Sequence, residues 1–293
     1  MIRTLSLPSG IEIPYVARGD DEGTPVIFLH GYSDSWRSFQ LVLPYLPLSI
    51  RAFALTQRGH GNAGRPVNGY GTRDFAADLA AFMDTAGLAD AVIVGHSMGG
   101  LIAQRFALDY PDRVRGLVLA GTAASLRRFK EVQELWEDFI SQLRDPIDRA
   151  FVSDFQRSTL ARPLPRAYLK TVIRESLKTP ARVWRSVMND MLDEDTSYEL
   201  RRIQAPTLML WGERDTYCPP REREYLASAI AGSRSILYPG AGHALHWEEP
   251  ERFAADIDTF ASQFAGRHAA SIMRPPDWTD TGVVKAMTME TIV

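Results

Sequence analysis

Three residues in this chain have the types and surroundings for nucleophilic chemistry. Ser97 sits in Gly95-His96-Ser97-Met98-Gly99, a G-x-S-x-G pattern. The apolar run 91–94 precedes it and a helical pattern starts near Met98. A sharp strand-to-helix turn at a serine strains the residue and lifts its hydroxyl clear of a sheet. Glycines at 95, 99 and 100 let neighbouring backbone pass without a Cβ clash. The helix N-terminus also sets N–H groups and a positive dipole end where an oxyanion would develop.

A serine hydroxyl is a weak nucleophile and needs a base. Gly240-Ala241-Gly242-His243 follows the last strand-like run, and its glycines let a loop carry His243 over the site. His246 competes for the role, although His246-Trp247 reads as packing. A third group must fix the tautomer of the base. Trp211-Gly212-Glu213-Arg214-Asp215 ends another strand, and open α/β sheets place chemistry at strand C-terminal ends. Asp215 is the expected orienting acid and Glu213 its close rival. The chain order Ser, Asp, His is one in which such a triad can occur on an open α/β sheet. The second oxyanion donor is expected from the loop after an early strand. The N–H of Tyr32, in His30-Gly31-Tyr32, would pair with that of Met98. The His30 ring is expected to brace that loop and take no part in catalysis.

The elements that must hold these residues are legible as short, nearly continuous apolar runs at 26–29, 91–94, 117–120, 207–211 and 235–238. Such runs fit parallel strands buried on both faces. Between them, Phe75, Leu79, Phe82 and Met83 recur at helical spacing, as do Leu101, Ile102, Arg105 and Leu108. The alternation predicts an α/β fold, a mostly parallel twisted sheet with helices on both faces.

The alternation stops over 125–202, where prolines 146, 163, 165 and 180 break helix-like segments. We read this stretch as a helical cap inserted into a core made of 1–124 and 203–265. Residues 266–293, with Pro275-Pro276 and no clear period, are expected to be an extended or partly disordered tail. Its Val283, Val284 and Ile292 could instead dock on the body or on a second subunit. A substrate pocket is expected between sheet and cap. Its candidate lining is Trp36, Trp136, Phe139, Phe155, Trp184 and Met188, beside Tyr32. Few charges fall among them, so the expected partner is a mainly apolar small molecule.

The 293 residues include 45% hydrophobic and 24% charged side chains, with a formal net charge of -3. That balance is ordinary for a soluble globular chain and offers no basic surface for nucleic acid. The single cysteine, Cys218, excludes an intramolecular disulfide. No signal peptide and no apolar run long enough for a membrane span is readable, so a cytoplasmic location is expected. No residues have metal-ligand spacing, and no metal or cofactor is expected. Oligomeric state is not legible.

Taken together, HGYSDSW at 30–36, QRGHG at 57–61, GHSMGG at 95–100, and GERD followed by GAGH resemble the α/β-hydrolase superfamily. The resemblance runs over about 26–264, interrupted by the cap. It is similar to the serine branch that holds carboxylesterases, enol-lactonases, carbon–carbon bond hydrolases and cofactor-free perhydrolases. Dehalogenases and epoxide hydrolases of this fold carry aspartate where Ser97 stands, which argues against both. Many relatives have an aspartate at the position of Thr56. The turn Arg58-Gly59-His60-Gly61 is retained, so the difference reads as structural. The resemblance implies ester or lactone hydrolysis through an acyl-enzyme. The same triad could instead serve carbon–carbon cleavage, perhydrolysis or slow-turnover ligand reception.

Overall fold

The computed structural model describes residues 1–266. The tail expected after Gly266, with Val283, Val284 and Ile292, lies outside the described residues. The chain opens with β1 (Ile2–Ser6) and β2 (Glu12–Arg18), followed by β3 (Thr24–Leu29) and β4 (Ile50–Leu55). Helix α1 (Thr72–Thr85) leads to β5 (Ala91–His96), α2 (Met98–Asp109) and β6 (Val114–Ala120). After a helical excursion come β7 (Thr207–Gly212), α7 (Pro220–Ala229) and β8 (Arg234–Tyr238), and then α8 (Leu245–Glu248) and α9 (Pro250–Ala261).

The eight strands form one sheet in the order β1-β2-β4-β3-β5-β6-β7-β8. Only the β1–β2 and β2–β4 pairs are antiparallel. The others are parallel, as expected for strands joined by helical crossovers. Register explains the continuous apolar runs. Ile27, Ile93, Leu117 and Met209 face one core with α1 and α2, while Val26, Phe28, Val94, Val118 and Leu210 face another with α9. Both faces are dry, so neither parity of position is polar.

The strands absent from the sequence-based expectation are β1, β2 and β4. Strand β1 is an edge whose residues are exposed except Leu5, and β4 carries Arg51, so neither reads as a dry run. The sheet order reverses at β3, which pairs with β4 on one side and β5 on the other. The loop after β3 and the turn after β5 therefore open on the same crevice at the strand ends.

Between β6 and β7 stand α3 (Lys130–Asp138), α4 (Arg149–Ser158), α5 (Arg166–Ser176) and α6 (Ala181–Asp193). Prolines punctuate them, since Pro165 precedes α5 and Pro180 precedes α6, where a missing N–H costs nothing. The excursion leaves and returns at one place. Ser125 bridges Asp195, and Thr196 N–H donates to Ala124 O at 3.0 Å. Buried Arg105 of α2 fastens the return, donating to Glu194 and Glu199 at 2.9 Å each.

Candidate active site

Ser97 occupies the turn between β5 and α2 with φ 53° and ψ -117°. That positive φ costs a non-glycine residue about 1–3 kcal/mol and persists only where the surroundings impose it. Here Ser97 N–H donates to Ala120 O at 3.0 Å, and the Thr122 hydroxyl donates to Ser97 O at 2.9 Å. Both bonds come from the end of β6 or just after it, so the sheet holds the turn in its strained form.

His243 arrives on the loop after β8. Its Nδ1–H donates to the Asp215 carboxylate, 2.9 Å from Oδ2 and 3.0 Å from Oδ1. Asp215 Oδ1 also accepts the backbone N–H groups of Tyr217 and Cys218, each at 2.9 Å. Both side chains are nearly dry, 6% exposed for His243 and 1% for Asp215, so the pair is shielded from competing water. Nδ1 is thereby committed as the donor, which leaves Nε2 as the basic nitrogen. The rivals lie elsewhere. Glu213 accepts from Gly240 N–H at 2.8 Å, and His246 is buried with Nε2 on the Ser38 hydroxyl at 3.0 Å.

The loop after β3 is braced by His30. Its Nδ1–H donates to Gly31 O at 2.8 Å, and its Nε2 accepts Gln57 N–H at 3.0 Å. The neighbouring turn is anchored by Arg58, whose Nε donates to Asp78 at 2.6 Å. Thr56 accepts the N–H of Trp36 at 3.2 Å, a structural tie. Among the described residues, neither Tyr32 N–H nor Met98 N–H donates to a protein acceptor. Met98 opens α2, where the first N–H groups have no partner within the helix.

Ser97, His243, Tyr32, Phe155 and Met188 line one cavity of about 60 Å³. The rest of the candidate lining lies elsewhere. Trp184 of α6 stands one layer behind, fully buried and edge-on to Tyr32 at 4.9 Å and to Phe155 at 5.3 Å. Trp36 begins a short helical turn capped by Ser35 and packs on the opposite face of the sheet, with Arg37 over its ring. Trp136 lines a separate polar groove with Tyr70 and Arg185. Phe139 is 54% exposed at the end of α3, where it stacks on Phe151.

Sequence reasoning passed over the groups that complete the wall. Val132 and Leu135 of α3, and Met191 beside Met188 of α6, follow from i, i+3 spacing. Polar Asp34, Gln156 and Tyr217 carried no such signal. Burial lowers His96 to about 3, with His243 beside it adding to the effect, so its ring is neutral. Burial, with Asp215 and Glu222 nearby, pushes the Cys218 thiol well up. Among the described residues, one cluster has metal-ligand atoms, Asp215, Cys218 and His243, within 4.8 Å of one another. Its carboxylate is already occupied by His243 and two backbone donors, and the Cys218 thiol points to Gly121 O at 3.5 Å.

A serine in a strained turn and a dry imidazole whose Nδ1 is held by a carboxylate, lining one cavity, are the groups that acyl transfer uses. No helix among the described residues is long and apolar enough to cross a membrane. Comparison with known proteins places this arrangement in context. The sequence pattern of the alpha/beta hydrolase fold matches residues 24–250. A pimeloyl-[acyl-carrier protein] methyl ester esterase of Neisseria meningitidis is 32% identical over 243 residues, covering 78% of this chain and 90% of the relative. The 2-hydroxymuconate semialdehyde hydrolase of a Pseudomonas strain is 28% identical, covering 82% and 88%. An esterase structure from Exiguobacterium antarcticum superposes with a TM-score of 0.80 at 25% identity, covering 89% of this chain and 100% of that one.

Proposed function

Because the chain belongs to the α/β-hydrolase family, we propose that it hydrolyses a small, mainly apolar carboxylic ester or lactone through an acyl-enzyme on Ser97. One observation carries the reading. The strained Ser97 and the carboxylate-held His243 open into the same cavity, walled by Leu126, Val132, Leu135, Phe155, Met188 and Met191.

In this mechanism His243 Nε2 takes the proton of Ser97 as its oxygen attacks the carbonyl carbon. The Asp215 carboxylate stabilises the imidazolium that forms. The N–H groups of Tyr32 and Met98 hold the tetrahedral oxygen, a contribution of about 3 kcal/mol per donor in such sites. The carbon–oxygen bond to the alcohol breaks, and the alcohol leaves with the proton from His243. Water, deprotonated by the same ring, attacks the acyl carbon and releases the acid and Ser97. The cavity volume, about 60 Å³, is small, so a short acyl group is its natural occupant.

The similarity to an ester hydrolase supports this reading, and the similarity to a semialdehyde hydrolase supports a second. In the second, the same residues cleave a carbon–carbon bond of a vinylogous diketone. Steady-state rates on p-nitrophenyl esters, simple lactones and a dienoate ring-fission product separate the two. Ester or lactone turnover that vanishes in Ser97→Ala is the expected result. Turnover of the ring-fission product alone would replace it with the second reading.

A further inference from the structure

We propose that Asp34 is the anchor of a polar subsite that takes a hydroxyl group of the substrate, beside the loop that leaves β3. The identity of the ligand as a carbonyl compound rests on the hydrolase reading above. The subsite itself rests on the following geometry.

Asp34 is 5% exposed and lines the cavity with Ser97 and His243. The Ser38 hydroxyl donates to its Oδ2 at 3.1 Å, and Gln156 of α4 donates to its Oδ1 at 3.1 Å. No cation pairs with it among the described residues. A carboxylate offers about four acceptor positions, and two are filled here. A buried carboxyl without a cation is costly, and such groups in a cleft are functional candidates. Burial pushes Asp34 up to about 7, so near neutrality it is partly protonated and can donate as well as accept.

The loop itself is held in an unfavourable form. Ser33, just before Asp34, is a buried non-glycine residue at φ 64°. A second acceptor converges on the same point. His96 Nε2–H donates to His243 O at 3.0 Å, so Nδ1 carries a lone pair, and that atom is buried without a partner. A Cβ on Gly31 would stand 3.0 Å from His96 Nδ1 and 3.4 Å from Asp34 Oδ2. Both atoms thus lie within 3.4 Å of one point, which glycine at 31 keeps clear of a side chain. A hydroxyl matches this pair, because its one proton can go to His96 Nδ1 while its oxygen accepts from protonated Asp34, or to Asp34 when that carboxyl is ionised. The apolar wall lies under the cap, contributed by α3 and α6. The structure therefore points to a short acyl compound with an apolar arm and a hydroxyl near its carbonyl.

The test is binding without turnover. The native protein is titrated with 3-hydroxybutanamide, butanamide and 3-aminobutanamide, and affinities are read by ligand-observed NMR. One satisfied hydrogen bond corresponds to about fivefold tighter binding of the hydroxy compound over butanamide. Asp34→Leu brings that ratio to about one, and the near-isosteric Asp34→Asn lowers it. If Asp34→Leu does not fold, the native ratio and the Asp34→Asn ratio decide. Equal affinities, no binding of either up to tens of millimolar, or a preference that survives loss of Asp34 would overturn the subsite. Tighter binding of the amine would overturn the hydroxyl assignment in favour of a cation. Amides report binding alone, so lost ester turnover with this preference intact would overturn the hydrolase reading and leave the subsite standing.

Discussion

Gly99 lies against the end of β3, where a Cβ on it would stand 2.2 Å from the carbonyl oxygen of Leu29. The turn that carries Ser97 and the strand that leads to Tyr32 are thus pressed together, backbone on backbone. The relative position of the two expected oxyanion donors depends on that contact. Gly99→Ala therefore forces one of the two backbones to move. We expect a loss of stability of about 2–4 kcal/mol, in the range of other severe steric substitutions. Activity should fall at least a hundredfold, roughly the effect of losing one donor. Urea denaturation and kcat/KM on the same preparation check both. A variant with native stability and activity would show that the turn has slack.

Asp215 has one task in the mechanism, to hold His243 with Nε2 unprotonated and facing Ser97. Asp215→Asn keeps the shape but offers an N–H donor to Nδ1, which favours the wrong tautomer. The expected loss in kcat is on the order of 10⁴, with little change in KM. Glu213→Gln, on the loop tie to Gly240, should lower activity little.

Acid should unfold this protein through its histidines. Burial holds His60 down to about 4 and His96 to about 3, and lowers His30 and His246 well below the ordinary 6.5. Each neutral ring contributes stability that is full above that ordinary value. It is lost as pH falls through the folded-state value, because the unfolded chain binds the proton first. Asp34 has the opposite sign. Raised from 3.8 to about 7, its contribution is full below the lower value and lost as pH rises through the upper one. Burial also raises Asp78, Asp190 and Glu222, which share the sign of Asp34, but the four histidines are buried more deeply than those three, so stability should fall between about pH 6.5 and pH 4. In Asp34→Asn the fall should be steeper, and the stability of the variant relative to the native chain should grow with pH over about 4–7. Denaturation midpoints across that range check the sign. A flat difference would mean that Asp34 titrates normally.

The cavity wall sets acyl length. Met188 is 4% exposed and lines the cavity from α6. Met188→Ala removes side-chain volume there at a cost of about 2–5 kcal/mol for a fully packed site. The preferred acyl chain in a p-nitrophenyl ester series should lengthen. Trp136→Ala, in the separate groove, should leave the preference where it was.

Much of the site could be read before the structure because its parts sit at fixed places on strands. Ser97 and Asp215 each follow a dry strand, the loudest signal in the chain, and His243 follows β8, a short and mostly exposed edge strand flanked by glycines. Strands β1, β2 and β4 were quieter because edge exposure or a charged residue interrupts them. In the cap, residue type misled. Trp136 and Phe139 there, like Trp36 in the segment after β3, are large and apolar, but which way a short helix turns is set by tertiary packing. Spacing would have served better, since Val132 and Leu135 share one helical face and Met188 and Met191 another. Asp34 and Gln156 left no trace, because a polar residue that meets its partner across 122 positions has no local pattern.

The central claim is a covalent bond between the substrate acyl group and Ser97. Rapid mixing with p-nitrophenyl acetate, followed by acid quench and peptide mass analysis, tests it most directly. The account predicts a burst of p-nitrophenolate approaching one equivalent and an acetyl group on the peptide that carries Ser97, both absent in Ser97→Ala. Native turnover that persists in Ser97→Ala, or an acyl group found on another residue, would contradict it.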